Sequence, residues 1–136
     1  METDPTLAEM LRLAIAARGN AHAPYSGFKV GAAVQGESGR IFAGCNVENA
    51  AYPQGQCAEA SAIGALVTAG DRRVLACVVV ADSPDLVTPC GGCRQRLREL
   101  AGDDAPIHLC DLGGVKRSVT LGALLPMSFG PEHLKK

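Results

Sequence analysis

Apolar positions along the chain switch repeatedly between two periods, and the switches mark out its elements. From Leu7 through Met10, Leu11, Ala14 and Ala17 they recur every three or four residues, the spacing of one helical face. Asp4 as cap, Pro5 at the first helical position and Gly19 at the far end bound that helix. Phe28, Val30, Ala32 and Val34 then alternate as a strand, Glu37-Ser38-Gly39-Arg40 turns, and Ile41–Cys45 returns, which predicts a hairpin. Ala58, Ala60, Ala62, Ile63, Ala65, Leu66 and Val67, closed by Gly70, read as a helix of small residues. Val74–Ala81 is a continuous apolar run, typical of a strand buried on both faces. Pro89 before Cys90, and residues 94–100 with Leu97 and Leu100 three apart, predict another helix that opens at Cys90. Residues 107–110 form a further strand, and a weaker segment, 118–120, precedes an apolar stretch at 121–125. Strands alternating with helices imply an α/β fold, a sheet with helices on both faces.

Composition narrows the function classes. At 136 residues and 47% hydrophobic, the chain is expected to form a single domain, 1–136, with an ordinary core. The net charge is −1, and basic residues are interspersed with acids apart from Arg94, Arg96 and Arg98, which alternate along one helix. That pattern excludes a nucleic-acid footprint. The start, Met1-Glu2-Thr3-Asp4-Pro5, is acidic where a secretory signal is basic, and no apolar run approaches membrane-spanning length, so a cytoplasmic protein is expected. Six cysteines in a chain of this size, in a reducing compartment, point to metal-bound thiols and not to disulfides. Cys45, Cys77 and Cys110 belong to strand-like apolar runs and read as small buried hydrophobes. His22, His108 and His133 stand in no metal-ligand spacing.

The other three cysteines carry chemistry. Cys57-Ala58-Glu59 opens one helix and Pro89-Cys90-Gly91-Gly92-Cys93 opens another, so all three thiols lie at helix N-termini, where the macrodipole favours thiolate. Three soft ligands are one short of a closed zinc shell, and catalytic zinc sites leave that last position to water. Glu59, two residues from a ligand, is placed to move that water's protons. Three thiolates around a divalent ion leave a formal excess of about one negative charge, which makes the bound water less acidic than on a three-His zinc. A structural zinc module would need a fourth protein ligand from Cys45, Cys77, Cys110 or a His. A thioredoxin-like redox protein would use Cys90-Gly91-Gly92-Cys93 and leave Cys57-Ala58-Glu59 without a role.

These motifs, in this order, resemble the zinc-dependent cytidine deaminases of the short-subunit type. The likeness runs from residues 23–33 (APYSGFKVGAA) through 44–52 (GCNVENAAY), Cys57-Ala58-Glu59 and 89–95 (PCGGCRQ) to 124–131 (LLPMSFGP), nearly the whole chain. It implies a three-layer fold, a mixed β-sheet with helices on both faces. It further implies hydrolytic deamination of cytidine and 2'-deoxycytidine with release of ammonia, in pyrimidine salvage. By the family's pattern Cys57, Cys90 and Cys93 hold Zn2+, whose water attacks C4 of the pyrimidine, and Glu59 carries a proton to ring N3 and then to the leaving amine. Phe28 resembles the residue packed on the pyrimidine ring, Asn46 and Glu48 those that grip the ribose hydroxyls, and Ala58 one whose free backbone N–H meets the base carbonyl. Phe28 as a core residue of the first strand, and Asn46 as turn chemistry, are the structural alternatives. Tyr52 and Phe129 resemble residues that reach active sites across subunit boundaries of a homotetramer. The partner implied is a small nucleoside, with neither nucleic acid nor membrane; the nearest rival is a related aminopyrimidine nucleoside such as blasticidin S. The chain departs from the family at Ala60, where members often carry an Arg that donates to a zinc thiolate. Arg94, beside Cys93, is the cation expected to balance the charge instead.

Overall fold

Asp4 caps the first helix as its sequence implies: the carboxylate accepts from the Thr6 N–H at 2.9 Å, and α1 runs Pro5–Gly19. The computed structural model describes residues 4–135; Met1, Glu2, Thr3 and Lys136, and with them most of the acidic start noted above, lie outside the described residues. The strands are β1 (Val30–Gly36), β2 (Ile41–Cys45), β3 (Val74–Ala81), β4 (Pro106–Asp111) and β5 (Gly114–Thr120). Three further helices follow, α2 (Ala58–Thr68), α3 (Gly91–Leu100) and the short α4 (Leu121–Leu124), with 3-10 turns at Tyr52–Gln54 and Pro131–His133.

The strands form one mixed sheet in the order β2-β1-β3-β4-β5. β1 pairs antiparallel with both β2 and β3, so β2 and β3 run in the same direction. β3 and β4 are parallel and therefore need a crossover, which α3 supplies. α1 covers one face, where Met10 and Ala14 pack on Ala33, Val78, Val80 and Cys110. The other face is covered by α2 and α3, with Ala58, Ala62, Leu66 and Leu97 against Ala32, Val34, Cys77, Val79, Ile107 and Leu109. Successive residues of β1 and β3 thus serve opposite cores, the period-two geometry of a strand buried on both sides.

Two glycines let helices lie close on this sheet. A Cβ on Gly31 would stand 2.0 Å from the Ala14 carbonyl oxygen of α1, and one on Gly44 would stand 2.5 Å from the Ala62 nitrogen of α2. Three details differ from the sequence pattern. β1 begins at Val30, so Phe28 precedes the strand and is exposed instead of buried in the core. β5 starts at Gly114, four residues earlier than the apolar signal; residues 115–118 are exposed on an edge strand, where alternation carries no burial. Cys45 is only half-buried, whereas Cys77 and Cys110 are buried as expected.

Candidate functional site

The site arises where three strand ends meet. Because β2 and β3 run the same way, the chain leaves both at one edge of the sheet, where β1 also begins: Val30 pairs with Ala81 and Gly31 with Cys45. The segments leaving β2 and β3 lead into α2 and α3, so both helix N-termini return to that edge. Cys57 is the N-cap residue of α2, Cys90 that of α3, and Cys93 lies in the first turn of α3.

The three Sγ atoms lie within 4.8 Å of one another, with Cys57 and Cys90 3.8 Å apart. Tetrahedral sulfur ligands about 2.3 Å from a zinc ion stand about 3.8 Å apart, so the spacing suits one such ion. A disulfide is far shorter, and all six cysteines are free. Among the described residues no other group of three His, Cys, Asp or Glu donors gathers this way. The electrostatics of the three thiols fit the same picture. Burial pushes the Cys57 and Cys93 thiols up, with Glu59 adding to the effect at Cys93. At Cys90 burial also raises, but the backbone N–H of Cys93 and hydrogen bonds with the other two thiols outweigh it and bring the group below its ordinary value. Three thiols this close cannot all ionise without a cation, which is the behaviour of a soft donor set made for zinc.

Glu59 is 4% exposed, and burial holds its carboxyl above the usual range against the pull of its own backbone N–H and of Arg96. It lines a cleft of roughly 670 Å³ together with Cys57, Ala58 and Cys90, a volume suited to a small molecule. Phe28, Asn46, Glu48 and Tyr52 line the same cleft. The Asn46 amide is partly engaged: Oδ1 accepts from the Val30 N–H and Nδ2 donates to the Phe28 carbonyl, both at 2.9 Å. One acceptor site and one proton remain free on it. Glu48 accepts from the Tyr25 N–H at 2.9 Å, the Ser26 N–H at 3.1 Å and the Ser26 hydroxyl, which lowers its pKa, the hydroxyl contributing most. Tyr52 is 76% exposed and meets Tyr25 edge-on at 6.2 Å between ring centroids.

Two expected residues lie elsewhere. Phe129 does not line the cleft of its own chain; its carbonyl accepts from Gln95 Nε2 at 2.8 Å and its ring, 55% exposed, stacks on His133. Arg94 does not reach the thiols. Its guanidinium donates to the Pro89 carbonyl at 2.8 Å, the Leu124 carbonyl at 2.7 Å and Thr88 Oγ1 at 2.9 Å. The cation on a thiol is Arg96, with Nη1 3.8 Å from Cys93 Sγ. Neighbours in a helical sequence point about 100° apart, whereas residues three apart share a face, so adjacency to Cys93 was a misleading cue. Sequence reading also passed over Tyr25, Val87 and Thr88 as cleft residues; they come from loops whose course depends on the assembled sheet.

Residues 5–108 match the family model described as the cytidine and deoxycytidylate deaminase zinc-binding region. The chain is 41% identical to a cytidine deaminase of Sporosarcina psychrophila over 98% of this chain and 96% of that one. It is likewise 41% identical to a cytidine deaminase of Halalkalibacterium halodurans, over 92% and 95% of the two chains. Among solved structures, cytidine deaminase from Burkholderia pseudomallei superposes with a TM-score of 0.83 at 42% identity, covering 90% of this chain and 98% of that one.

Proposed function

The chain belongs to the cytidine and deoxycytidylate deaminase family, and from that premise we propose that it hydrolyses cytidine and 2'-deoxycytidine to uridine and 2'-deoxyuridine with release of ammonia. The observation that carries this reading is the convergence of three thiols beside one buried carboxyl, with Cys57, Cys90 and Glu59 lining a single cleft. Cys57, Cys90 and Cys93 would hold a zinc ion, which would supply the Lewis acidity that makes a water a usable nucleophile near neutral pH. Glu59 takes one proton from the attacking water to ring N3, then carries the second, from the hydroxyl now on C4, to the departing amine, so that the carbonyl forms as ammonia leaves.

The remaining roles are positional. Ala58, in the first helical turn, has a backbone N–H free of intrahelical partners and donates it to the base carbonyl. Phe28 lies against the pyrimidine ring, and the free capacity of Asn46 and Glu48 takes the sugar hydroxyls. Among the described residues no Lys, Arg or His lines the cleft, which holds Glu48 and Glu59, and this supports free nucleosides over nucleotides. The names of the relatives favour cytidine over an aminopyrimidine such as blasticidin S. We further propose that residues 1–136 work as one catalytic domain in a cytoplasmic homotetramer serving pyrimidine salvage, with exposed Phe129 reaching a neighbouring copy's cleft, whereas Tyr52, expected to do the same, lines the cleft of its own chain.

The test is zinc content and cytidine absorbance on purified protein. About one zinc per chain is expected, with cytidine absorbance lost on adding enzyme. Glu59→Gln is expected to keep the zinc and the fold while losing nearly all turnover. A fully active Glu59→Gln variant would remove Glu59 from the mechanism.

A further inference from the structure

Three thiolates exceed the charge of a divalent ion by one, and position 60, next to Glu59 on α2, is an alanine with no donor to offer. The compensating cation must come from another element. α3 carries three arginines at two-residue spacing, and its geometry sorts them. Arg94 and Arg98, four apart, share a face turned toward the C-terminal segment. Arg94 is committed to Thr88, Pro89 and Leu124, and Arg98 donates to Ser128 Oγ at 2.7 Å and pairs with Glu132. Arg96 points the other way. It stands one turn after Cys93, and Nη1 lies 3.8 Å from that residue's Sγ, which is wholly buried.

We propose that Arg96 is the charge-balancing residue of this zinc centre, a positioning residue that donates to the Cys93 thiolate and so sets how firmly the metal is held. The inference rests on the zinc reading above. Hydrogen bonds and charges around a ligand tune a metal's affinity through the ligand itself. Arg96 is exposed and does not line the cleft, so it touches neither the base nor the sugar. The guanidinium therefore acts through the Cys93 thiol and not through the substrate.

The experiment compares the zinc-loaded parent with Arg96→Met and Arg96→Lys. Zinc dissociation is measured by competition with a chromophoric chelator, and kcat and KM for cytidine are measured on protein kept saturated with zinc. Arg96→Met is expected to hold zinc on the order of 10 to 100-fold more weakly, with kcat reduced and KM changed less than about twofold because no substrate contact is lost. Arg96→Lys, which keeps the charge, is expected to recover most of the affinity. Arg96→Met that binds zinc as tightly as the parent overturns the role, and so does Arg96→Lys that is no better than Arg96→Met. A parent that holds no zinc overturns the metal reading itself, and this inference with it.

Discussion

The close seat of α2 on β2 makes Gly44→Ala a test of how the fold sets the chemistry. A Cβ at position 44 would lie 2.5 Å from the Ala62 nitrogen, 2.7 Å from Ser61 Cβ and 2.9 Å from the Ala58 carbonyl oxygen, all on α2. Ordinary van der Waals contact begins near 3.4 Å. The helix must therefore lift by up to about 0.9 Å, the difference between 3.4 and 2.5 Å. Backbone atoms cannot swing aside as a side chain does, so the strain is expected to cost about 1–3 kcal/mol, or roughly 4–12 °C in melting temperature for a chain of intermediate size. Cys57 and Glu59 ride on the same helix turn. A misplacement of about 1 Å at reacting groups costs on the order of 100-fold in rate, so kcat/KM should fall by roughly that factor. Gly31→Ala is the control: its Cβ would meet the Ala14 carbonyl oxygen at 2.0 Å and Arg18 at 2.9 Å, on α1 at the opposite face. It should lose at least as much stability while keeping zinc and, well below its melting point, most of its kcat/KM. Thermal unfolding, metal analysis and cytidine turnover on the three proteins decide the matter. A Gly44→Ala variant as stable and active as the parent would refute the reasoning, as would equal loss of activity in both variants.

Cytidine should be turned over far better than cytidine 5'-monophosphate, because Glu48 and Glu59 line the cleft and, among the described residues, no Lys, Arg or His does; equal turnover in the absorbance assay would count against the role given to Glu48. Glu37 accepts from the backbone N–H groups of Arg72 and Arg73 at 3.0–3.1 Å, and these bonds, that from Arg73 foremost, hold its carboxyl below the ordinary value of 4.5. A depressed folded-state pKa stabilises above the unfolded value and loses that contribution as pH falls through the folded one. Glu37→Gln should therefore unfold more easily than the parent at pH 7, with the two denaturation midpoints converging as the pH drops below about 4; a constant gap across pH would contradict this. Light scattering should report a tetramer, and Phe129→Ala should weaken cytidine binding without loss of zinc. An active monomer would remove Phe129 from any shared site.

Much of the site could be read before any fold was known, because it is built from local signals. Pro89 ahead of Cys90, the Gly-closed run of small residues after Cys57, and the Asp4-Pro5 cap are helix-end chemistry, which depends on a few neighbouring residues and survives folding unchanged. Cys57, Cys90, Cys93 and Glu59 could thus be assigned to helix N-termini from local signals alone. That those termini meet was a matter of topology: only the antiparallel pairing of β1 with both β2 and β3 makes the two strands parallel and sends their exits to one edge. Direction around a helix and depth below a surface were likewise settled in three dimensions. Arg94 adjoins Cys93 in sequence yet serves the Leu124 carbonyl, while Arg96, one turn on, reaches the thiol. Phe28 continues the alternation of β1 yet lies beyond its first paired residue, on the cleft wall. Periodicity records which residues share a face. What that face meets depends on pairings between distant segments, which the one-dimensional pattern does not contain.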